Sequence, residues 1–252
     1  MNLKKSTWLF LGLVLLIASC DDEDAKPDPP TLPTYDVQIK INHLFGADAL
    51  ELNQTKYITA NKDTVGITRW MYHINKFVFF GDSGTVYRPD LYFLIDAENS
   101  ESLTLTFDSL DHMAFDSIQF NVGVVDSADN YDGILNSMFT DPMYWGMING
   151  YINMKLEGES NSVVADSVFL LHIGGYSGNY KLGHTVGMSL QGNKLQNKLG
   201  SNTLTIDVDL AEYFTNPNTI DLSTSNLIHQ PNDQAKEISD NWPSMFSFGG
   251  IQ

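Results

Sequence analysis

The chain carries a single cysteine, Cys20, in 252 residues. A disulfide framework, a zinc–cysteine site and a thiol nucleophile are thereby excluded from the folded domain. Cations are scarce as well: 14 Lys and Arg stand against 31 Asp and Glu, a formal net charge of −17. A surface of that sign repels nucleic acid and anionic lipid, so neither is expected as a partner. The apolar run Trp8–Ala18 is too short, and too closely followed by acid, to make a good spanning helix. Catalytic signatures are missing too: there is no Gly-x-Ser-x-Gly, no His-Glu-x-x-His, no phosphate loop and no dinucleotide fingerprint. Nothing singles out two of the acids as a glycosidase pair. The sequence therefore reads as a binding protein and not as an enzyme.

What is present begins with an export signal. Lys4 and Lys5 precede the apolar run, and Ile17-Ala18-Ser19-Cys20 closes it with small residues. The ending resembles a bacterial lipobox, which makes residues 1–20 a lipoprotein signal and Cys20 the lipidated new N-terminus; a plain secretory signal with an accidental cysteine is the alternative. Removing Lys4 and Lys5 takes the formal charge from −17 to −19. Asp21-Asp22-Glu23-Asp24 resembles the surface-export signal of Bacteroidetes lipoproteins and would also serve as a solvated tether. Pro27, Pro29, Pro30 and Pro33 make residues 21–34 a semi-rigid spacer. The expected location is the outer membrane, surface-exposed or facing the periplasm, with membrane contact only through Cys20.

The domain proper spans residues 35–252, and without disulfides its core must hold it together. Val37, Ile39 and Ile41 alternate with Gln38, Lys40 and Asn42, the period-2 pattern of a half-buried strand. Ile67–Phe80 is apolar on both sides, with Trp70, Tyr72 and Ile74 on one and Met71, His73, Phe77 and Phe79 on the other. That predicts a central strand covered on both faces. Further alternating runs cover Leu103–Phe107, Ser117–Val125, Ile148–Leu156, Val163–His172, Met188–Leu190 and Leu204–Leu210. Short helices are expected near residues 134–140 and across 210–242, where Ala235 and Ile238 should face inward. About ten short strands separated by Gly, Asn and Asp turns predict a mainly β fold, an antiparallel β-sandwich.

Chemistry has few places to sit. Asp126–Gly133 is rich in oxygen donors, but no glutamate follows before Glu157, so the EF-hand order fails and an acidic loop is the simpler reading. Six histidines and nine methionines in an exported acidic domain favour copper by donor softness, although methionines also fill cores. His43 shares the apolar face of its strand, where a lone histidine is usually a satisfied core residue. His73, His112 and His184 have no pattern that marks them as ligands. The stretch Met143-Tyr144-Trp145-Gly146…Gly150-Tyr151 is either core or the wall of a site. As a wall it would suit a surface module that binds glycan or protein through the aromatics of 144–151.

One series of blocks is more specific: Phe120-Asn121-Val122-Gly123-Val124-Val125-Asp126, Asn130, Met143-Tyr144-Trp145, Asn149-Gly150-Tyr151-Ile152, Lys155-Leu156-Glu157-Gly158 and His172-Ile173-Gly174-Gly175. In this order they resemble the MbnP-like family, β-rich exported proteins related to a periplasmic copper-binding protein associated with methanobactin. The lipoprotein signal and the Ile-x-His segment before Gly46 are similar to its Bacteroidetes branch. The resemblance covers roughly Tyr35 to Phe248. It implies copper as the ligand, and a di-haem, peroxidase-like partner that oxidises a tryptophan to kynurenine. Carried over block by block, it nominates Trp145 as that tryptophan, and His43, His172 and His229 as metal ligands. Two departures stand out: the Asn-His pair of proteobacterial members is Asn130-Tyr131 here, and their C-terminal cysteines are absent.

Overall fold

The computed structural model describes residues 35–81, 84, 86–110, 114–124, 142–146, 150–196 and 203–252. Cys20, the spacer 21–34, His112, the acidic loop 126–133 and the helix expected near 134–140 lie outside the described residues. Among those described there are eighteen strands, many of only two residues. The first nine are β1 (Tyr35–Phe45), β2 (Asp48–Ala49), β3 (Thr55–Ile58), β4 (Thr64–Gly81), β5 (Val86–Tyr87), β6 (Tyr92–Asp96), β7 (Thr104–Leu110), β8 (Ala114–Val122) and β9 (Tyr144–Gly146). They continue with β10 (Gly150–Ser160), β11 (Val168–Gly174), β12 (Tyr176–Ser177), β13 (Tyr180–Lys181), β14 (His184–Ser189), β15 (Leu195–Gln196), β16 (Thr203–Asp209), β17 (Leu227–Ile228) and β18 (Phe246–Ile251).

Two sheets carry the fold, and the mainly β class expected from the alternation is what forms. The smaller runs β18-β16-β1-β2, with β7 also on β1; the larger runs β14-β8-β4-β10-β11-β17. β4 is its hub, also pairing with β3, β5 and β6, and residues Trp70–Asn75 are buried on both faces. The inward residues of both sheets form one core. Phe107 of the small sheet packs at 5.0 Å from Phe77 and 5.1 Å from Phe79, and Phe246 packs at 5.4 Å from Phe120. Each such buried ring contributes about 1.5–3 kcal/mol through the area it removes from water.

Most ladders are antiparallel, but β1–β16 and β11–β17 run parallel. Alternation assigns a side chain to a face and says nothing of strand direction, so these two pairings escape a pattern reading. The second of them positions the candidate site.

Among the described residues the helices are short: a 3-10 turn at Ser100–Leu103 and, within the expected 210–242 region and just after it, α1 (Leu210–Tyr213), α2 (Asp233–Ser239) and a 3-10 turn at Trp242–Met245. Ala235 and Ile238 are buried, on the face the sequence assigns inward. Asn232 caps α2 by accepting from Ala235 N at 2.7 Å. Asp209 Oδ1 holds two segments at once, accepting from Ala211 N at 2.9 Å as the cap of α1 and from Gly46 N at 2.7 Å in the β1–β2 turn. Asp209→Ala strands both donors and is expected to destabilise by about 1–3 kcal/mol, read as a lower urea midpoint at unchanged m-value.

Candidate metal centre

β10 and β11 pair with Lys155 opposite His172 and Glu157 opposite Leu170. On the other side, Lys155 faces Met71 of β4 and Glu157 faces Arg69. Cross-strand partners share a face, so Arg69, Met71, Lys155, Glu157 and His172 lie on one side of the large sheet. Their neighbours Trp70, Tyr72, Leu156 and Leu171 lie on the other side, in the core.

His229 reaches this face because β17 adds to β11 in parallel, with Leu170 beside Leu227 and Leu171 beside Ile228. The next residue of each strand is then His172 and His229. Their rings sit 5.0 Å apart at 71°, with Nδ1 to Nδ1 at 3.4 Å. Nε2 of His172 lies 2.7 Å from Glu157 Oε1. A carboxylate only accepts, so that bond places the proton of His172 on Nε2 and leaves a lone pair on Nδ1 pointing at His229. Burial pulls the imidazole of His172 below the ordinary histidine range, against the upward pull of the Glu157 hydrogen bond, and the Lys155 charge lowers it further. The ring is therefore neutral, in the ligand form, at pH 7.

The separation of the two nitrogens suits an ion. Metal–imidazole bonds are about 2.0–2.1 Å, so two nitrogens 3.4 Å apart subtend about 110° at a shared centre, the tetrahedral value. Glu157 completes the carboxylate–imidazole pairing that orients metal-binding histidines. Among the described residues, no group of three or more His, Cys, Asp or Glu stands ready to hold an ion. The nitrogen donors that the described residues bring together here are the two imidazoles, with Glu157 behind one of them.

Trp145 lies on the same face of the large sheet as this pair. β9 pairs with β10, Tyr144 opposite Tyr151, and the indole lies over Gly174, two residues beyond His172 on the same face. A Cβ on Gly174 would stand 3.0 Å from Trp145 Cζ3 and 2.4 Å from the Tyr151 carbonyl oxygen. The absent side chain is what seats the ring. On its other side the indole packs against Met71, Met143 and Ile152, with Leu94 alongside. Lys155 Nζ donates to Pro142 O at 3.1 Å and ties the approach to β9 down onto β10. Gly174→Ala is expected to expel the indole, shifting tryptophan emission to the red, and to cost about 1–3 kcal/mol in denaturant unfolding.

The choice between core and site wall for residues 143–151 resolves residue by residue. Met143 and Tyr151 are buried, while Tyr144 and Trp145 are half-buried. Tyr144 and Tyr151 pack ring to ring at 5.0 Å, and Tyr151 packs on His73 at 5.4 Å. Burial withdraws Tyr151 from a glycan-binding platform, while Tyr144 and Trp145 keep part of their surface.

The three histidines nominated as ligands do not converge. His43 points into the core from β1, with Nε2 3.0 Å from Tyr72 Oη and its ring 4.4 Å from Trp70. Trp70 and Tyr72 occupy the face of β4 opposite Met71, so the large sheet itself lies between His43 and the His172–His229 pair. Burial lowers its pKa to about 4. His43 is half-buried and satisfied by Tyr72 on the core side of its strand, as its strand pattern allows. His73 is buried with Nδ1 3.1 Å from Ile152 O. His184 sits 3.4 Å from Ser239 Oγ and 3.9 Å from Asp240 Oδ1.

Comparison with known proteins adds a family and a fold. The model of the MbnP family matches residues 34–233. No curated protein sequence matches the chain. A solved structure similar to it is MbnP from Methylosinus trichosporium, with a TM-score of 0.54 at 12% identity over 76% of this chain and 80% of that one. Identity that low shows a shared fold and carries no residue roles.

Proposed function

The chain belongs to the MbnP family, and from that premise we propose that it is an exported, non-enzymatic protein that binds copper between His172 and His229. One observation carries the reading: two imidazole nitrogens face each other at 3.4 Å, and the ring proton of His172 is taken up by Glu157 at 2.7 Å. His229 Nδ1–H can donate to the lone pair of His172 Nδ1 at this distance, and an ion between the rings would take the place of that proton. Neutral imidazole suits copper, and the thioethers of Met71 and Met143 keep the adjoining wall soft and apolar.

Other parts of the proposal rest on the sequence. The lipobox at Cys20 and the acidic run after it support an outer-membrane lipoprotein of the Bacteroidetes type, with copper acquisition or handling as its task. The family resemblance supports a di-haem enzyme as partner and Trp145 as the residue that enzyme would oxidise. The seat of Trp145 over Gly174, on the face that carries His172, supports a modified side chain near the same centre.

Titrating the protein with copper, in competition with a chromophoric chelator, tests the core of the reading. One equivalent is expected to bind to the natural sequence and none with comparable affinity to the His172→Ala/His229→Ala variant. Equal affinity in both would sink it.

A further inference from the structure

His229 is exposed, and so is Gln230 after it, so little packing fixes where that imidazole stands. Its backbone has to do so. Before His229 the chain is tied by the two-residue parallel ladder of β17 on β11. After it come Gln230 and Pro231, and a proline locks its own φ and confines the residue before it to extended backbone. Pro231 is half-buried and leads into α2, whose cap is Asn232.

Pro231 sits on Gly175, three residues past His172. A Cβ on Gly175 would stand 3.2 Å from Pro231 Cγ and 2.4 Å from the Tyr180 carbonyl oxygen, and its φ of +139° is one that side chains rarely adopt. Only glycine lets the proline close down there. Gly175 is itself fixed, because its carbonyl accepts from Leu182 N at 3.1 Å and from Asn153 Nδ2 at 3.4 Å. Asn153 is fully buried, and its Oδ1 accepts from Val124 N, just past β8, at 2.9 Å. The far side of Pro231 is held too: Tyr180 Oη donates to Asp233 Oδ1 in the first turn of α2 at 3.1 Å.

We infer that Pro231 on Gly175 is the second of two clamps that set the spacing of His172 and His229, which makes Pro231 a positioning residue of the copper site. The inference rests on the copper reading of that pair. The ladder joins the two segments just before the histidines, and the proline joins them just after. Each imidazole thus lies between two points at which its segment touches the other. Without the proline, His229 would hang from the end of a two-residue ladder, and ends fray. An ion would then have to order the pair as it binds. With both clamps the nitrogens stand 3.4 Å apart beforehand, so that ordering cost does not fall on binding.

The test is Pro231→Ala in the whole protein, read in two ways. In the copper-free, isotopically labelled protein, NMR through the carbon-bound ring protons measures the scalar coupling between the two Nδ1 nitrogens. That coupling exists only across an Nδ1–H···Nδ1 hydrogen bond that is held in place. The natural sequence is expected to show it and Pro231→Ala to lose most of it, with amide shifts confined to residues 172–175 and 227–233. Copper, titrated in competition with a chelator, should bind Pro231→Ala about tenfold more weakly, as when a group that orients a metal ligand is removed. The inference is overturned if the natural sequence lacks the coupling, or if Pro231→Ala keeps it. Copper affinity that survives the loss of the coupling overturns it as well, and so do amide shifts spread through both sheets, the mark of a general stabiliser. If the coupling behaves as expected and neither protein binds copper, the clamp stands and the copper reading alone fails.

Discussion

Alanine at Glu157 is expected to lower copper affinity by about 10- to 100-fold with the fold intact. The carboxylate touches no ion in the proposed centre. It acts through His172, whose Nε2 lies 2.7 Å from Oε1. That bond fixes which nitrogen carries the proton and holds the ring in the rotation that aims Nδ1 at His229. Without it, the neutral ring redistributes between tautomers and orientations, and each misdirected form must be reversed when an ion binds. Negative charge at the far nitrogen also raises the donor strength of the near one, so removing it weakens the bond itself. Glu157→Gln separates these contributions: its amide oxygen can still accept from Nε2–H but carries no charge. The expected order of affinity is natural sequence, then Glu157→Gln, then Glu157→Ala, with His172→Ala below all three. Competition titration gives the affinities, and melts of the copper-free proteins show whether folding has changed. Glutamate 157 is half-buried on the sheet surface, so its loss leaves no cavity in the core. Undiminished affinity in Glu157→Ala would mean that Nδ1 of His172 is not the donor.

The strand pattern made most of this scaffold readable, and the reason is physical. Alternation records which side of a strand faces the core, and the double-sided run Ile67–Phe80 could only be a strand covered on both faces, which β4 is. The same record placed Ala235 and Ile238 inward on α2. It held nothing about which strands pair. The neighbourhood of His172 and His229 depends on one two-residue parallel ladder between segments 57 positions apart. Family blocks nominated both residues without saying that they meet. The same nomination grouped His43 with them, and here the strand pattern was the better guide: an imidazole in phase with Val37, Ile39 and Ile41 points to the core.

Glu157 and Gly174 were present in the quoted blocks, yet nothing in their spacing announced a role. Lys155-x-Glu157 on one strand and His172-x-Gly174 on the next are i, i+2 pairs, each confined to one face. Once the register places Lys155 opposite His172, those two short motifs become a single patch. The carboxylate orients the imidazole and the missing Cβ admits the indole. Register was the piece of information that the sequence did not carry.

Acid is expected to destabilise the protein through His43, and Glu or Asp protonation is not needed for the effect to begin. Burial holds the His43 pKa at about 4, against 6.5 for the free side chain. Its Nε2 lies 3.0 Å from the hydroxyl of Tyr72, which can donate to the neutral ring. A protonated Nε2 could still donate to the Tyr72 oxygen, so what opposes the proton is the desolvation of its charge beside the buried rings of Trp70 and Tyr72. Below pH 6.5 the unfolded chain takes up a proton at this position and the folded chain does not, so stability falls as pH falls. The contribution is fully present above pH 6.5, declines through the window from 6.5 to 4, and is exhausted below about 4. At about 1.4 kcal/mol per pH unit the shift amounts to at most about 3.5 kcal/mol. That is large beside the 5–15 kcal/mol, roughly, that holds a typical domain together. His172 and His184 are shifted in the same direction, so the whole protein's pH profile mixes several groups. Comparison with His43→Gln isolates the one in question, because a glutamine oxygen can accept from Tyr72 and does not titrate. Urea midpoints measured from pH 8 to pH 4 should fall more steeply for the natural sequence than for His43→Gln, and the gap should open between pH 6.5 and 4. Parallel profiles would show that His43 takes its proton as readily in the folded protein as in the unfolded chain.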